Sequence, residues 1–386
     1  MDIKELIANG VKLTEGRLNE LLPGEDLAPA TLHKAMRYSV FAGGKRIRPL
    51  LCIEAAKAVC GDAEPALNAA CALEVLHTYT LIHDDLPSMD NDDLRRGRPT
   101  NHKVFGEGIA ILAGDALLTE AFAMLAKVPA NERYNVGDYV TELAYQTGSL
   151  TLVGGQVLDL EGEGRKLTLE ELRAIHNGKT TALITAAVRL GAMAAAATAE
   201  QLEALTTYGR CLGLAFQIID DILDVTSTPE VLGKSIGKDA KVAKATYPAM
   251  VGMEAARAEA RQLTEAGRAA LDVFPAERRA ALLAISVQIV MFFQHIQKFF
   301  PGFCQITILS NHIFNRKTRR LLTFSLLFCG IAKSNQHSRK YILWQAKKLF
   351  MHFIALQEIS HIAGADSHGL SCYHRILRRN HRIFKG

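Results

Sequence analysis

The sequence has few of the residues that mark a cross-linked, zinc-binding or secreted protein. Its 386 residues include one tryptophan and seven cysteines, an odd number without Cys-x-x-Cys spacing. We therefore expect neither a disulfide framework nor a structural zinc site. The first residues, MDIKELIANGVKL, include acidic side chains and no apolar run, unlike a signal peptide. No stretch reaches the roughly 18 uninterrupted apolar residues of a membrane span. We expect a cytoplasmic protein with reduced thiols and no stable membrane insertion.

Charge is distributed unevenly along the chain. The formal net charge is +5, but residues 285–386 contain 15 Lys and Arg against two acidic residues, and 11 of the 16 Phe. The first 284 residues contain 30 basic and 38 acidic side chains. We predict a domain over 1–284 and an atypical basic, Phe-rich extension over 285–386. The extension is interpreted as abnormal, from a frameshift or read-through. The alternative is a tail that binds nucleic acid or an acidic membrane. No nucleic-acid partner is expected for the domain.

Helical periodicity dominates the first 284 residues. Apolar residues recur at spacings of three and four, or surround the segment, and alternating β-branched runs are nearly absent. The pattern predicts an all-α fold, a single large helical bundle. The predicted helices are 32–41, 50–59, 67–82, 109–127, 138–150, 169–197, 199–225 and 247–273.

An acidic segment follows the most apolar of these helices. Residues 67–82 are apolar almost all round, which is typical of a helix inside a bundle, and they lead into Asp84, Asp85, Asp90 and two more aspartates. Such carboxylates repel one another and lose hydration at a buried helix end unless a cation compensates. A solvated acidic loop is the alternative for such a run alone. The buried helix before the run and Arg95-Arg96 after it weaken that alternative.

A second acidic cluster ends another apolar helix. Asp220 and Asp224 are four residues apart, so they project from one face with about 5–6 Å between Cβ atoms. Gln217 lies on the same side. Two clusters at the ends of interior helices suggest facing walls of one cavity. Their oxygens suit a hard cation, and Mg²⁺ typically takes one or two carboxylates together with substrate phosphates and water.

A basic loop supplies the groups that would bind phosphate. Gly43-Gly44-Lys45-Arg46-Ile47-Arg48-Pro49 places two glycines beside three cations, with a proline suited to the first turn of a helix. Glycine allows the backbone to approach an anion, and arginine offers a bidentate fork. A solvated loop is the alternative for this segment alone. Further cations follow at Arg95-Arg96, Lys179, Lys234 and Lys244. These groups suffice for two diphosphates, one bound through metal ions and one by basic side chains.

The motifs resemble those of the trans-isoprenyl diphosphate synthases, most closely the bacterial farnesyl diphosphate synthases. The resemblance extends over about residues 6–283 and implies the all-α isoprenoid synthase fold around a central cavity. It also implies a homodimeric prenyltransferase of isoprenoid biosynthesis that condenses isopentenyl diphosphate with dimethylallyl or geranyl diphosphate. The motifs are GGKRIRP (43–49), LIHDDLPSMDNDDLRRGRPTNH (81–102), GGQVLDL (154–160), KTTALI (179–184), FQIIDDILDV (216–225), GKSIGKD (233–239) and KATYP (244–248).

The resemblance also implies roles for individual residues. The metal ligands would be Asp84, Asp85, Asp90, Asp220, Asp221 and Asp224, around a group of about three Mg²⁺ ions, with Mn²⁺ as an alternative. The isopentenyl diphosphate site would be Gly44, Lys45, Arg48, His77 and Arg96. The allylic diphosphate site would be Arg95, Lys179, Thr180, Gln217, Lys234 and Lys244. The residues expected to act directly in catalysis are Asp84, Asp85, Lys179, Gln217 and Asp220.

Product length depends on the helix before the first cluster. In the resembled family the chain grows along that helix, so a bulky side chain there stops elongation. Tyr79 and its neighbour Thr80 are the predicted chain-length residues, with Tyr79 about 7.5 Å before Asp84 along the helix axis. This pattern implies farnesyl diphosphate as product. The alternatives are a geranylgeranyl diphosphate synthase, a non-catalytic diphosphate-binding partner subunit, or an ordinary core role for Tyr79.

Overall fold

The computed structural model describes residues 2–226 and 245–299, with side chains described through residue 287. Within these ranges the fold is all-α, as predicted, and strands occur only in one short antiparallel hairpin, β1 (Leu94–Arg95) and β2 (Arg98–Pro99). The helices are α1 (Ile3–Leu21), α2 (Ala30–Val40), α3 (Ile47–Cys60), α4 (Leu67–Asp84), α5 (Asn101–Phe105), α6 (Glu107–Leu125), α7 (Val136–Thr147), α8 (Leu152–Gly162), α9 (Leu169–His176), α10 (Ala182–Ala194), α11 (Ala199–Thr226), α12 (Tyr247–Val251), α13 (Met253–Ala270) and α14 (Ala276–Phe299).

The most apolar helix lies at the centre of the bundle, as its composition predicts. Two thirds of α4 is buried, including Leu73, Val75 and Leu76, which are fully inaccessible to solvent. It packs against α3 and α6, while α3 packs against α10, α10 against α11, and α11 against α13. Each fully buried leucine or valine contributes about 1.5–3 kcal/mol relative to exposure. The central position of α4 therefore carries its acidic C-terminus to the interior end of the bundle.

Three predicted helices differ from the observed ones. The predicted helix 169–197 is interrupted by a π-helical turn, Asn177–Thr181, between α9 and α10. The predicted helix 247–273 is divided at Gly252, which has a φ of 87° and cannot continue the helix. The predicted helix 138–150 ends early, because the chain breaks after Thr147 and begins α8 at Leu152. Helices α1, α5, α8 and α14 were not predicted.

Helix α6 has an unusual composition for a helix at the side of a bundle. It is the helix, among the described residues, that is long and apolar enough to cross a membrane by length and composition. Only 39% of its most apolar stretch is buried, and Ile111 and Leu112 are 43% and 54% exposed. Among the described residues, an apolar face of this helix is therefore exposed to solvent.

The predicted extension lies almost entirely outside the described residues. Proximity of Cα atoms places Met1–His295 in one compact unit. Helix α14 continues through the predicted boundary at 284/285, so the position of that boundary stays a prediction. The two interpretations of the extension also stay predictions.

Candidate active site

The first aspartate cluster is held in place by the loop after α4, which hydrogen-bonds to the end of that helix. The backbone N–H of Asp90 donates to the carbonyl of Asp84 at 2.8 Å, and the N–H of Asp92 donates to the carbonyl of Asp85 at 3.2 Å. On β1, Arg95 donates from Nε to both carboxylate oxygens of Asp85 at 2.8 Å. Asp85 is 3% exposed, so this pair is a buried, bidentate contact. The hairpin thus fixes the orientation of the cluster.

The carboxyl group of Asp84 has a raised pKa. Burial raises the pKa of Asp84 to about 6, an effect that Asp90 reinforces and that Lys179 opposes. A raised pKa means that the ionised form lacks sufficient compensation in the protein alone. A divalent cation beside Asp84 would supply that compensation.

The π-helical turn Asn177–Thr181 links the two aspartate clusters. Lys179, whose charge acts on Asp84, donates from Nζ to Oδ2 of Asp159 on α8 at 2.8 Å. The hydroxyl of the next residue, Thr180, donates to Oε1 of Gln217 on α11 at 2.8 Å. Successive residues of the turn therefore contact the surroundings of the first and the second cluster.

Close backbone packing accompanies this unusual turn. A Cβ added to Gly155 on α8 would lie 2.4 Å from the backbone nitrogen of Lys179, and one added to Gly178 would lie 2.8 Å from Cα of Gly155. Glycines at both positions let α8 approach the turn at van der Waals distance. Asp159, one helical turn after Gly155, is thereby brought to Lys179.

The second cluster contains one carboxylate that is already hydrogen-bonded by the protein. Oδ2 of Asp221 accepts the backbone N–H of Tyr247 at 2.7 Å and lies 3.4 Å from Nε2 of His176, while Oδ1 accepts Nε2 of Gln217 at 3.3 Å. Burial nevertheless raises the pKa of Asp221 to about 6, because these contacts only partly offset desolvation and the charges of Asp220 and Asp224. Asp221 therefore ties α11 to α9 and α12.

The donor set fits a cation that needs few protein ligands. Among the described residues, no three acidic, His or Cys side chains converge closely enough to form a preformed metal cage. Mg²⁺ commonly keeps one or two carboxylates and completes its octahedron with phosphate and water oxygens. Asp85 and Asp221 already accept hydrogen bonds. Carboxylate oxygens have further lone pairs, so these two stay predicted Mg²⁺ ligands together with Asp84, Asp90, Asp220 and Asp224.

A separate group of cations lies at the start of α3. Arg96 donates from Nη1 to the carbonyl of Gly43, and a Cβ added to Gly44 would lie 2.8 Å from that Nη1 atom. Lys45 is exposed beside them. Arg48, in the first turn of α3, has a buried Nε without a hydrogen-bond partner among the described residues. The structure therefore brings Gly44 and Arg96 together, and it places Lys45 and Arg48 on the adjoining turn.

His77 belongs to this basic group and is kept neutral. Burial lowers the pKa of His77 well below its ordinary value, and Arg48, Arg96 and Arg95 lower it further. At neutral pH the ring therefore offers one donor and one acceptor rather than a second positive charge. A neutral histidine among arginines suits a diphosphate site in which hydrogen bonding and charge come from different residues.

The two predicted chain-length residues differ in their surroundings. The side chain of Tyr79 is largely buried, meets the ring of His83 edge-on at 5.4 Å, and has its pKa raised by burial and by Asp84 and Asp115. The hydroxyl of Thr80 donates to the carbonyl of His77 at 2.8 Å, within its own helix. Tyr79 thus lies on α4 near the first cluster, within electrostatic reach of Asp115 on α6.

Some predicted residues lie outside this description, and others were missed. Lys234 and Lys244 fall in the segment 227–244, outside the described residues. The sequence pattern indicated no individual role for Arg46, Asp159 or His176, although the first two lie within the motifs GGKRIRP and GGQVLDL. Asp159 contacts Lys179 and His176 contacts Asp221, whereas Arg46 acts on His77 and Arg96 through its charge.

A cavity of about 840 Å³ lies elsewhere, between α8, the π-helical turn, α10, α11 and α13. No residue of either aspartate cluster lines it; its walls include Val157, Gly178, Thr181, Leu214 and Leu263. The cavity is therefore distinct from the aspartate site.

In this all-α bundle, a lysine-bearing turn joins two aspartate clusters, and a basic group lies beside them. This arrangement is that of a prenyltransferase of the isoprenyl diphosphate synthase class. The chain belongs to the polyprenyl synthetase family, whose model matches residues 29–272.

Curated relatives from plants resemble most of the chain. It is 46% identical over 291 residues to the heterodimeric geranylgeranyl pyrophosphate synthase large subunit 1 of Arabidopsis thaliana, covering 74% of this chain and 78% of that protein. It is 48% identical over 260 residues to the geranylgeranyl pyrophosphate synthase of Capsicum annuum, covering 67% of this chain and 70% of that one. Both relatives are described as chloroplastic.

Solved structures share the fold. An FPP/GFPP synthase from Zymomonas mobilis matches with a TM-score of 0.67 and 34% identity, covering 74% of this chain and 98% of its own. A geranylgeranyl pyrophosphate synthetase from Pyrococcus horikoshii matches with a TM-score of 0.67 and 31% identity over the same shares. The predicted fold class and family are thereby confirmed.

Proposed function

We propose that the chain condenses isopentenyl diphosphate with an allylic diphosphate in a Mg²⁺-dependent reaction that releases pyrophosphate. The observation that carries the proposal is the π-helical turn, from which Lys179 acts on Asp84 and Thr180 contacts Gln217. The allylic diphosphate would lie between the two aspartate clusters. The basic group of Lys45, Arg48, His77 and Arg96 would take isopentenyl diphosphate.

Each group of the site would have a separate role in the reaction. Mg²⁺, when bound, would supply Lewis-acid stabilisation of the departing diphosphate. Lys179 would add fixed positive charge where the leaving group develops negative charge. Breaking the allylic C–O bond gives an allylic cation, which the double bond of isopentenyl diphosphate attacks. The released pyrophosphate accepts the proton that is lost afterwards. Thr180 and Gln217 are hydrogen-bonded to each other and present no strong nucleophile to the cation.

Geranylgeranyl diphosphate is the product that the relatives favour. The names of the two plant relatives, at 46% and 48% identity, both specify geranylgeranyl pyrophosphate synthase. Farnesyl diphosphate is the second candidate, supported by the bulky Tyr79 close to Asp84. A non-catalytic partner subunit is a weaker candidate, because both aspartate clusters retain their carboxylates.

A single assay distinguishes these candidates. The purified chain would be incubated with isopentenyl diphosphate and, in separate reactions, with dimethylallyl, geranyl or farnesyl diphosphate in the presence of Mg²⁺. We expect a twenty-carbon product from all three allylic substrates and no product with a chelator. Arrest at fifteen carbons would favour the farnesyl candidate. Absence of any product with Mg²⁺ or Mn²⁺ would refute the catalytic proposal and leave the binding subunit.

Replacement of Tyr79 by alanine should lengthen the product by at least one five-carbon unit. The ring is largely buried on α4, one to two turns before Asp84, so its removal would leave space along this helix for a growing chain. Product chain length, measured by chromatography after dephosphorylation, gives the result. Tyr79→Phe is the matched control, because it keeps the bulk of the aromatic ring and removes only the hydroxyl. An unchanged product from Tyr79→Ala would remove this residue from the chain-length role.

We further propose that the enzyme forms a homodimer through α6. Its exposed apolar face includes Ile111 and Leu112, and contiguous exposed apolar surface commonly marks an interface. Leu112→Glu should convert the dimer to a monomer in light scattering, because a buried unpaired carboxylate opposes association. Leu27→Glu, at an equally exposed leucine outside α6, should leave the dimer intact. A persistent Leu112→Glu dimer would exclude this face. The cytoplasmic location stays a prediction.

A further inference from the structure

Arg46 is the most completely buried cation of the basic loop. Its side chain is 1% exposed and contacts three different parts of the fold. Nη1 donates to Oε1 of Glu74 on α4 at 2.5 Å, and Nη2 donates to Oε1 of Glu15 on α1 at 3.0 Å. Nη2 also donates to the carbonyl of Val40, the last residue of α2, at 2.6 Å. One guanidinium therefore joins the loop to three helices.

The backbone of Arg46 is held in an uncommon conformation. Its φ of 49° and ψ of 44° are left-handed, a conformation that is unfavourable for a residue with a side chain. Such a conformation persists where surrounding contacts over-determine it. The three contacts of the guanidinium do so here, and they determine where the loop ends and α3 begins.

The residues on either side of Arg46 are those of the proposed isopentenyl diphosphate site. Lys45 precedes it, and Arg48 follows in the first turn of α3. At the other end of the loop, Gly43 accepts a hydrogen bond from Arg96. The loop is therefore fixed at both ends, by Arg96 before Lys45 and by Arg46 after it.

Glu74 gives this anchor an electrostatic role as well. It is 2% exposed on α4, one turn before His77, and its charge acts on Arg48 and Arg96. A buried carboxylate beside a diphosphate site would repel the substrate unless it were neutralised. Arg46 is the cation in direct contact with it.

We propose that Arg46 is a positioning residue for isopentenyl diphosphate: it anchors the loop that carries Lys45 and Arg48, and it neutralises Glu74, without itself contacting substrate. The inference rests on the proposed function. It predicts a selective effect, because the allylic diphosphate binds through the aspartate clusters and Lys179 instead. A merely structural role would affect both substrates or neither.

The test compares Arg46→Lys with the wild-type chain. Lysine keeps the positive charge but loses the fork that reaches three partners at once. We expect the KM for isopentenyl diphosphate to rise about tenfold, with the KM for geranyl diphosphate changed by less than about twofold. Arg189→Lys is the control, because Arg189, whose side chain is 20% exposed, forms a comparable bidentate fork with Glu142 on α7, away from the site. It should leave both KM values unchanged.

A milder variant tests the same role if Arg46→Lys does not fold. Glu15 is the half-exposed partner, so Glu15→Gln weakens one contact while Glu74 stays paired. Its expected effect is a rise of about threefold in the KM for isopentenyl diphosphate alone. Equal shifts for both substrates, or shifts no larger than those of Arg189→Lys, would overturn the role of Arg46. If the wild-type chain itself showed no activity, the proposed function would be refuted instead.

Discussion

Replacement of Asp84 by asparagine is expected to lower kcat by about a hundred- to a thousandfold. Losing one preorganised electrostatic contact to the developing charge typically costs about 3–4 kcal/mol of transition-state stabilisation. The pKa of Asp84, raised to about 6 by burial, marks it as the carboxyl of its cluster that most needs a cation. Asparagine preserves the shape but removes the charge. Steady-state kinetics over a range of Mg²⁺ concentrations should show a higher Mg²⁺ requirement as well as the lower kcat.

A control for this result lies in the same acidic run. Asp93 is only nine residues further on, but its side chain is 75% exposed and pairs with Lys103 at 2.8 Å. Asp93→Asn should therefore change kcat by less than about threefold. Similar losses for both variants would mean that the run acts only through its total charge. Normal Mg²⁺ dependence in Asp84→Asn would contradict a metal-binding role for Asp84.

Replacement of Gly191 by alanine is expected to destabilise the fold by about 3 kcal/mol or more. A Cβ there would lie 2.0 Å from the carbonyl oxygen of Cys52 and 2.8 Å from its carbonyl carbon, both in the backbone of α3. Overpacking typically costs about 1–3 kcal/mol, and this collision is with backbone that cannot rotate away. Helices α3 and α10 would have to separate. Chemical denaturation followed by circular dichroism measures the loss in free energy of unfolding.

Gly16 provides the comparison for this variant. It lies on α1 with no atom within 4 Å of an added Cβ. Alanine should be neutral there or stabilise the protein by up to about 1 kcal/mol, because it has the higher helix propensity. If Gly191→Ala were as stable as Gly16→Ala, the close packing of α3 and α10 would be wrong.

The sequence was sufficient where the relevant physics is local. The apolar composition of residues 67–82 predicted the central helix, and the carboxylates after it predicted the cluster at its end. The spacing of Asp220 and Asp224 placed both on one helix. Each inference needed only helical periodicity and the cost of placing charge at a buried end.

The sequence was insufficient where contacts join distant segments. Nothing in the spacing of Asp85 and Arg95 indicated that they would form a bidentate pair. Lys45, Arg46 and Arg48 have similar chemistry in the sequence, and only the positions of Glu15 and Glu74 on two other helices distinguish the anchor from its neighbours. The periodicity of 169–197 also continues through the π-helical turn, whose packing depends on Gly155 of α8.

The turn at Asn177–Thr181 acts as a one-residue phase shift between two helices. A π-helical turn accommodates one residue more than an α-helical turn, and each α-helical residue rotates the chain by about 100°. Deleting one residue here would restore a continuous helix from α9 to α10 and rotate one helix against the other by that angle. The apolar face of α10 could then no longer pack against α3 and α11 while Lys179 contacts Asp159 and Thr180 contacts Gln217. The extra residue thus allows the core-facing residues of α10 and the site-facing residues of the turn to be oriented independently along one chain segment.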